Sequence, residues 1–168
     1  MTESHDLPPR PPQYTPEEWA QYHRDPCSWC IKELRNPDRE IRCNAADILR
    51  GLAWDAEPAI PALVASFQDP DVMVRSYCVH ALVDTGYAVK ERAAGAVPAL
   101  IEQLDSNHAE IRSLAASALG AIGPSAAAAA GKLRSLLSDP DPELRESAAL
   151  AIEEVSVRVV NGYPRETT

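Results

Sequence analysis

Aromatic residues are scarce in this sequence of 168 residues: they make up 5% of it, and there is one Phe. This scarcity argues against β-sandwiches and barrels, and it favours helices that approach closely through Ala, Leu, Val and Ile. Long apolar runs are also missing, since no segment approaches the roughly 18 uninterrupted apolar residues of a membrane span. We therefore expect one helical domain and no membrane association.

Basic residues are too few to balance the acidic ones. The sequence has 16 Lys and Arg against 25 Asp and Glu, which gives a formal net charge of -9. Such a charge opposes the phosphate backbone, so we expect no affinity for nucleic acid or anionic membranes and favour a basic partner. The alternative interpretation is that the acidity serves only solubility.

A secretory signal is absent from the N-terminus, where MTESHDLPPRPPQYTP offers neither a basic start nor an apolar run. Four cysteines are too few for a disulfide scaffold. We therefore predict a cytoplasmic protein with a disordered Pro-rich tail over 1–14, a helical domain over 15–160 and a C-terminal tail over 161–168. Within the first tail, Pro9 to Pro12 also fits a P-x-x-P recognition segment.

A repeat becomes visible when the chain is aligned with itself. An apolar residue followed by Arg recurs with Arg-to-Arg spacings of 33, 37 and 33, and an acidic turn precedes each copy. A period in the thirties indicates a repeat array. The recurrent arginines are Arg42, Arg75, Arg112 and Arg145, and the turns are Asn36-Pro37-Asp38, Asp69-Pro70-Asp71, Asp105-Ser106-Asn107 and Asp139-Pro140-Asp141.

Aligned on these arginines, apolar residues fall into columns with helical spacing. The residues three positions after the arginine are Ala45, Cys78, Ala115 and Ala148. Those seven positions after it are Leu49, Leu82, Leu119 and Ile152. Each copy is predicted to be a hairpin of two helices, and the one that contains the arginine is its first helix. Gly51, Gly86 and Gly123 lie near the predicted ends of these first helices, where a left-handed cap is needed. Each second helix has an alignment of its own: Ile60, Val97 and Ala130, then Leu63, Leu100 and Leu133, then Phe67, Leu104 and Leu137.

These motifs together resemble the HEAT repeat, in the short form of the phycobilin lyase HEAT-like proteins, over roughly residues 26 to 158. The resemblance implies an all-α solenoid of stacked antiparallel helical hairpins, with about four repeats and a degenerate N-terminal hairpin. It also implies a ladder of inter-repeat contacts from Asp38, Asp71 and Asp141 to the recurrent arginines. We expect a weaker ladder at the third copy, where His108 stands near the Asp position and the turn reads as one residue longer.

Cys27 and Cys30 form a C-x-x-C, which could bind zinc or carry redox chemistry, with His23 or Cys43 as further ligands. The alignment instead places both cysteines in core columns of a second helix. We therefore predict structural cysteines, no metal site and no cofactor. Cys78 also falls in a core column, whereas Cys43 is predicted to face outward.

The function favoured by this reading is protein binding on the concave face of the solenoid, which the second helices line in such arrays. The partner is predicted to be basic or helical, with Trp29 as the aromatic anchor. The predicted contact residues are Trp29, Lys32, Glu33, Ala62, Ser66, Ala99, Glu102, Gln103 and Lys132. The last helix, read as Pro142 to Val160, could also self-associate through Val155, Val159 and Val160.

An enzyme remains the alternative, since the resemblance extends to phycobilin lyases and would imply a lyase, an oxidoreductase-type activity or an accessory subunit. No catalytic residue can be named for it. The paired His-Glu motifs of deoxyhypusine hydroxylase are missing, and the acidic charge opposes a DNA glycosylase. The sequence therefore favours a binding module over an enzyme.

Overall fold

A computed structural model of the chain describes residues 15–156, 159–160 and 163–164. The predicted tail over 1–14 lies outside them. The α-helices are α1 Pro16–Arg24, α2 Pro26–Glu33, α3 Arg39–Leu52, α4 Ile60–Ala65, α5 Val72–Val89, α6 Val97–Gln103, α7 Ala109–Ile122, α8 Ala130–Leu136 and α9 Pro142–Ser156. The 3-10 segments are Ala53–Ala59, Ser66–Gln68, Lys90–Ala96 and Gly123–Ala129, and the two short strands are β1 Val159–Val160 and β2 Tyr163–Pro164.

Side-chain caps mark the beginnings of several helices. Thr15 and Glu18 form a reciprocal capping box at α1, and Asp38 accepts a hydrogen bond of 2.8 Å from the N–H of Glu40 at α3. Asp71 and Asp141 cap α5 and α9 in the same way. A side-chain oxygen there satisfies one of the donors that a helix N-terminus leaves unpaired. The third copy differs, because His108 precedes α7 without a side-chain capping bond.

The long spacing between Arg75 and Arg112 arises inside α5, and our expectation of a longer turn at the third copy is wrong. Helix α5 has 18 residues, whereas α3 and α7 have 14 each. The connecting 3-10 segments all have 7 residues. Four additional residues make about one helical turn, so the insertion keeps the same faces of α5 in register with its neighbours.

The ends of the first helices correct the predicted glycine caps. Gly123 follows α7 with φ of +75°, as predicted, but Gly51 and Gly86 lie within α3 and α5. The corresponding C-cap positions are Ala53, with φ of 46°, and Lys90, with φ of 51°. A residue with a Cβ is strained at such angles, whereas glycine adopts them readily.

Replacing Ala53 or Lys90 by glycine should therefore stabilise the fold. We expect each change to raise the free energy of unfolding by about 0.5–1 kcal/mol, because relief of strain outweighs the extra freedom of glycine in the unfolded chain. Chemical denaturation measures the effect, and Gly123→Ala is the matched control with the opposite sign. A loss of stability in both glycine variants would contradict this account.

The core lies where the first helices stack in the order α3, α5, α7 and α9, and each second helix packs against the first helix that follows it. The predicted column of Ala45, Cys78, Ala115 and Ala148 is fully buried, as are Leu49, Leu82 and Leu119. Small side chains allow the helices to approach closely: a Cβ at Gly120 of α7 would lie 3.0 Å from the Cα of Ala151 of α9. Burial is incomplete at three predicted column positions: Ala130 and Ile152 are half-buried, and Leu137 is 44% exposed with Leu136 buried beside it.

The recurrent arginines tie each turn to the helix that follows it. In Arg42, Arg75 and Arg145, Nη1 donates to the carbonyls of the residues six and five positions earlier. Arg112 makes the first of these bonds, to Ser106. This use of the guanidinium satisfies carbonyl groups of the irregular turn.

The ladder between repeats exists, but the prediction named the wrong acidic residues. Arg42 forms a bidentate pair with Asp69, through Nε at 2.8 Å and Nη2 at 3.0 Å. Arg112 reaches Asp139 at 3.7 Å. The predicted acids Asp38, Asp71 and Asp141 lie two residues further on, where their side chains cap helices. Asp71 does contact the preceding repeat, but through Arg39 at 3.6 Å and not through a recurrent arginine. Ser106 takes the place of the pairing acid in the third copy, and Arg75 makes no ion pair within residues 15–156.

One stretch, Ala109–Leu136, contains an 18-residue window with a mean hydropathy of 1.3, high enough for a membrane span by composition. It is not one straight helix, because the 3-10 segment Gly123–Ala129 separates α7 from α8. In the structure 56% of that window is buried. Its apolar character is accounted for by the Ala-rich core of the last repeats.

The end of α9 also differs from the prediction. The helix stops at Ser156 rather than near Val160, and β1 pairs with β2 in an antiparallel register. Valines favour strands, and the Asn161-Gly162 dipeptide is a strong hairpin signal that the helical reading overlooked. Val155 is 3% exposed and packs in the core, so it does not offer the predicted docking surface.

Candidate partner-binding face

The structure brings most of the predicted contact residues to the surface of the second helices. Lys32 and Glu102 are exposed, and the half-buried members of the set are Ala62, Ser66, Ala99, Gln103 and Lys132. Trp29 and Glu33 are each 4% exposed, which contradicts their predicted place on the surface. They fall on the inner side of α2 because this short helix buries one face against α3.

The role of Trp29 is therefore in the core of the N-terminal hairpin. Its ring meets Tyr22 edge-on at a centroid distance of 5.2 Å, and Tyr22 stacks on Trp19 at 5.1 Å. Edge-on and offset aromatic pairs stabilise a core beyond the area they bury. This cluster packs α1 against α2 in the N-terminal hairpin.

A shallow cleft of about 270 Å³ opens between α2 and α4. Its lining consists of Leu34, Arg35, Ala62, Ala65, Ser66, Gln68 and Asp69. Ala62, Ala65 and Ser66 share one face of α4, because residues three and four apart align along a helix. Their small side chains create the depression, and the Ser66 hydroxyl donates to the carbonyl of Ala62 at 3.0 Å.

The cleft does not continue along the next second helix, α6. The positions of α6 that correspond to Ala65 and Ser66 are Glu102 and Gln103. These larger polar residues stand where α4 has small ones. The face therefore combines one depression at α2 and α4 with a polar surface at α6 and α8.

The charges of this face are mixed: Arg35 lines the cleft and makes no ion pair in residues 15–156, and Asp69 is paired with Arg42. Lys132 Nζ lies 2.5 Å from Asp105 Oδ1, and Lys32 Nζ lies 3.8 Å from Glu18. Each lysine is thus partly neutralised, while Glu102 makes no ion pair in the part of the chain that the structure describes. A carboxylate left in this way attracts a cationic side chain more than an anionic one.

The cysteines are placed largely as predicted. Cys27, Cys30 and Cys78 are buried, and Cys43 is half-buried beside a small cleft that Met73 and Tyr77 also line. Burial raises the pKa of Cys30 and of Cys78 to about 12, and burial is also the main cause of the raised pKa of Cys27 and Cys43. A raised pKa disfavours the thiolate, which is the nucleophile and the metal ligand.

These thiols should consequently react slowly in the folded protein. At pH 8 we expect Cys30 and Cys78 to react with a disulfide reagent about a thousandfold more slowly than in denaturant, since three units of pKa separate the two states. Timed labelling followed by peptide mass mapping measures each site. Cys43→Ser serves as the control that removes the more accessible thiol. Equal rates for Cys30 in the folded and denatured states would contradict the burial argument.

Metal chemistry finds no support in the described residues, where no group of three or more His, Cys, Asp and Glu side chains could hold an ion. His23, which could have completed a site with Cys27 and Cys30, instead lies against Trp19 at 4.7 Å between ring centroids. His108 is exposed at the start of α7. The C-x-x-C is thus part of the hydrophobic core.

Two exposed aromatic residues were missed by the sequence reasoning. Trp54 is 63% exposed and Tyr87 is 56% exposed. Arg92 lies over the Trp54 ring at 5.9 Å and pairs with Glu57 at 2.7 Å. The signal available in the sequence was weak: Trp54 follows a helix end, and Tyr87 belongs to the additional turn of α5.

The stacked hairpins define the class of this protein as an α-solenoid of the armadillo and HEAT-like type. Within that class, residues 97–165 match the family model for HEAT repeats. The resemblance drawn from the sequence is thereby confirmed. A search of curated proteins found no match.

Solved structures share the fold. An engineered protein is 25% identical, with a TM-score of 0.67 over 82% of this chain and 65% of that chain. A designed armadillo repeat protein in complex with the peptide (KR)4 is 20% identical, with a TM-score of 0.71 over 83% and 68%. The complex of CpcE and CpcF of phycocyanin lyase from Nostoc sp. PCC7120 is 21% identical, with a TM-score of 0.64 over 93% and 70%. The chain spans only 65% of the first engineered protein and 39% of a second.

Proposed function

We propose that this solenoid is a protein-binding module that holds a basic segment of a partner protein along its second helices. The observation that carries the proposal is the cleft between α2 and α4, whose floor consists of Ala62, Ala65 and Ser66. A small-residue floor admits a partner side chain, and the net charge of -9 on the chain favours a partner that carries positive charge.

The related folds are compatible with such a role. One neighbour is a designed armadillo protein bound to the basic peptide (KR)4, and another is a complex of two subunits, CpcE and CpcF. The lyase named for the second neighbour is a property of that protein.

A labelled (KR)4 peptide tests the proposed function. We expect Ala65→Phe, which fills the cleft from an exposed position, to weaken binding at least about tenfold, since it removes the space that a side chain would occupy. Fluorescence anisotropy titration at fixed ionic strength measures the affinity. The matched control is Ala128→Phe on an exposed connector position, with an expected change below about twofold.

Electrostatic specificity is tested on the same face. Glu102→Lys is expected to weaken (KR)4 binding several-fold, and Glu91→Lys on the connector edge makes the same change in net charge elsewhere. Equal losses in these two variants would show that the peptide responds to overall charge and not to this face. Equal losses in the two phenylalanine variants would show that the peptide does not occupy the cleft.

A further inference from the structure

Helix α9, which is the first helix of the fourth repeat, has a face that no other helix covers within the described residues. Two contacts show which positions of a first helix meet the next one. Ser76, one residue after Arg75, donates to Glu110 of α7 at 2.8 Å. Gly120, eight residues after Arg112, lies against Ala151 of α9. Residues one, four, five and eight places after the arginine share this face because of the helical spacing.

In α9 these positions are Glu146, Ala149, Leu150 and Glu153, which we call the terminal face. The column four places after the arginine shows the loss of cover: Ala46, Val79 and Ala116 are fully buried, whereas Ala149 is exposed. Leu150 is 59% exposed. Its counterparts in the earlier copies are polar, namely Asp47, His80 and Ser117.

A second column changes in the same way at this end of the array. Eight residues before each arginine, Leu34, Phe67 and Leu104 are 3%, 3% and 1% exposed, but Leu137 is 44% exposed. Terminal repeats usually become polar where stacking stops. Here Leu137, Ala149 and Leu150 instead keep apolar surface, which is typical of an interaction site.

The charges on the terminal face indicate which partner fits. One and eight places after the arginine, α7 has Ser113 and Gly120, but α9 has Glu146 and Glu153. The apolar pair Ala149 and Leu150 is thus flanked by two carboxylates. A helix packed here needs Lys or Arg opposite those carboxylates, since like charges in contact are strongly disfavoured.

A second copy of this chain is a poor candidate for the same place. It carries the same net charge of -9, and its first helix begins with Glu17 and Glu18. End-to-end stacking would bring acidic surfaces together. Arg145 also lacks the inter-repeat ion pair that Arg42 and Arg112 make. Its guanidinium donates to the carbonyl of Asp139 in its own turn at 2.8 Å, and within residues 15–156 it meets no carboxylate from a following repeat.

We infer that the terminal face docks a helix of another protein, one with an aliphatic contact line flanked by Lys or Arg. The helix packs on Ala149 and Leu150 as α9 packs on α7, and its cations pair with Glu146 and Glu153. This surface is separate from the cleft between α2 and α4, so the two sites can be tested independently.

The experiment uses the full chain and two labelled helical peptides of about 20 residues, both Ala-based so that they are helical on their own. Both carry the same Leu and Ala contact line. One is flanked by lysines and the other by glutamates. We expect the wild-type chain to bind the lysine peptide at least about tenfold more tightly, and the variant Glu146→Lys/Glu153→Lys to prefer the glutamate peptide.

Two further variants separate docking from general attraction. Glu17→Lys/Glu91→Lys makes the same change in net charge away from α9, and we expect it to alter lysine-peptide affinity by less than about threefold. Leu150→Ser should weaken the peptide several-fold while leaving the denaturation curve unchanged, because the side chain is mostly exposed. The inference is overturned by equal effects of the two charge variants, by an unchanged affinity in Leu150→Ser, or by no binding below about 1 mM.

Discussion

Replacing Leu82 by alanine is expected to lower the free energy of unfolding by about 2–5 kcal/mol. Leu82 is fully buried in α5, which packs against α3 on one side and α7 on the other. Removal of three carbon atoms leaves a cavity that neighbours on two sides hold open, so the loss combines transfer and cavity terms. Chemical denaturation followed by circular dichroism measures the change.

A matched control lies in the same column. Ile152 holds the corresponding position in α9 but is only half-buried, because no further helix covers α9 among the described residues. Ile152→Ala should cost clearly less than Leu82→Ala, and Ala99→Ser on the second-helix face should change stability by no more than about 0.5 kcal/mol. A melting curve of Leu82→Ala that matches the wild type would show the column alignment to be wrong.

The sequence was sufficient to predict the array because one pattern recurs in phase. Each copy repeats an acidic turn, an arginine and an apolar column, and the buried alanines and leucines of α3, α5 and α7 follow that alignment. Local chemistry was equally readable at Thr15, where the capping box depends only on residues three apart. Periodicity and capping are local signals, so a single sequence contains them.

The errors arose where the outcome depends on neighbours that the alignment does not show. Trp29 was assigned to the surface because it lies outside the aligned apolar columns. In the structure its ring is buried against Tyr22. The helix ends were misplaced because Ala53 and Lys90 adopt positive φ angles without being glycine. The insertion in α5 could have been located, since the distance from Arg75 to Val97 exceeds that from Arg42 to Ile60 by four residues.

The pairing acid of the ladder was misassigned for a similar reason. Asp69 and Asp71 both stand near Arg75 in the sequence, and spacing alone does not separate a capping carboxylate from one that reaches the preceding repeat. In the structure Asp71 caps α5, while Asp69 turns back to Arg42. Partner choice here depends on the stacking distance between repeats, which the sequence does not contain.

Replacing Asp69 by alanine should be comparably damaging, with an expected loss of about 3–5 kcal/mol. The side chains of Arg42 and Asp69 are only 12% and 9% exposed, and two hydrogen bonds of 2.8 and 3.0 Å join them. The hydrogen bond to Asp69 is the main cause of the raised pKa of Arg42. The variant leaves a guanidinium charge largely buried with only turn carbonyls as partners.

The other two rungs of the ladder supply the comparisons. Arg112 and Asp139 are 3.7 Å apart and about one-fifth exposed, so Asp139→Ala should cost only about 1 kcal/mol. Ser106→Asp should add the missing carboxylate opposite Arg75 and stabilise the fold by about 0.5–1 kcal/mol. Denaturation curves for the three variants should therefore rank Asp69→Ala lowest and Ser106→Asp highest. Equal losses for Asp69→Ala and Asp139→Ala would mean that the hydrogen bonds these acids accept from the backbone N–H of Asp71 and Asp141, and not the burial of the ion pair, set their contribution.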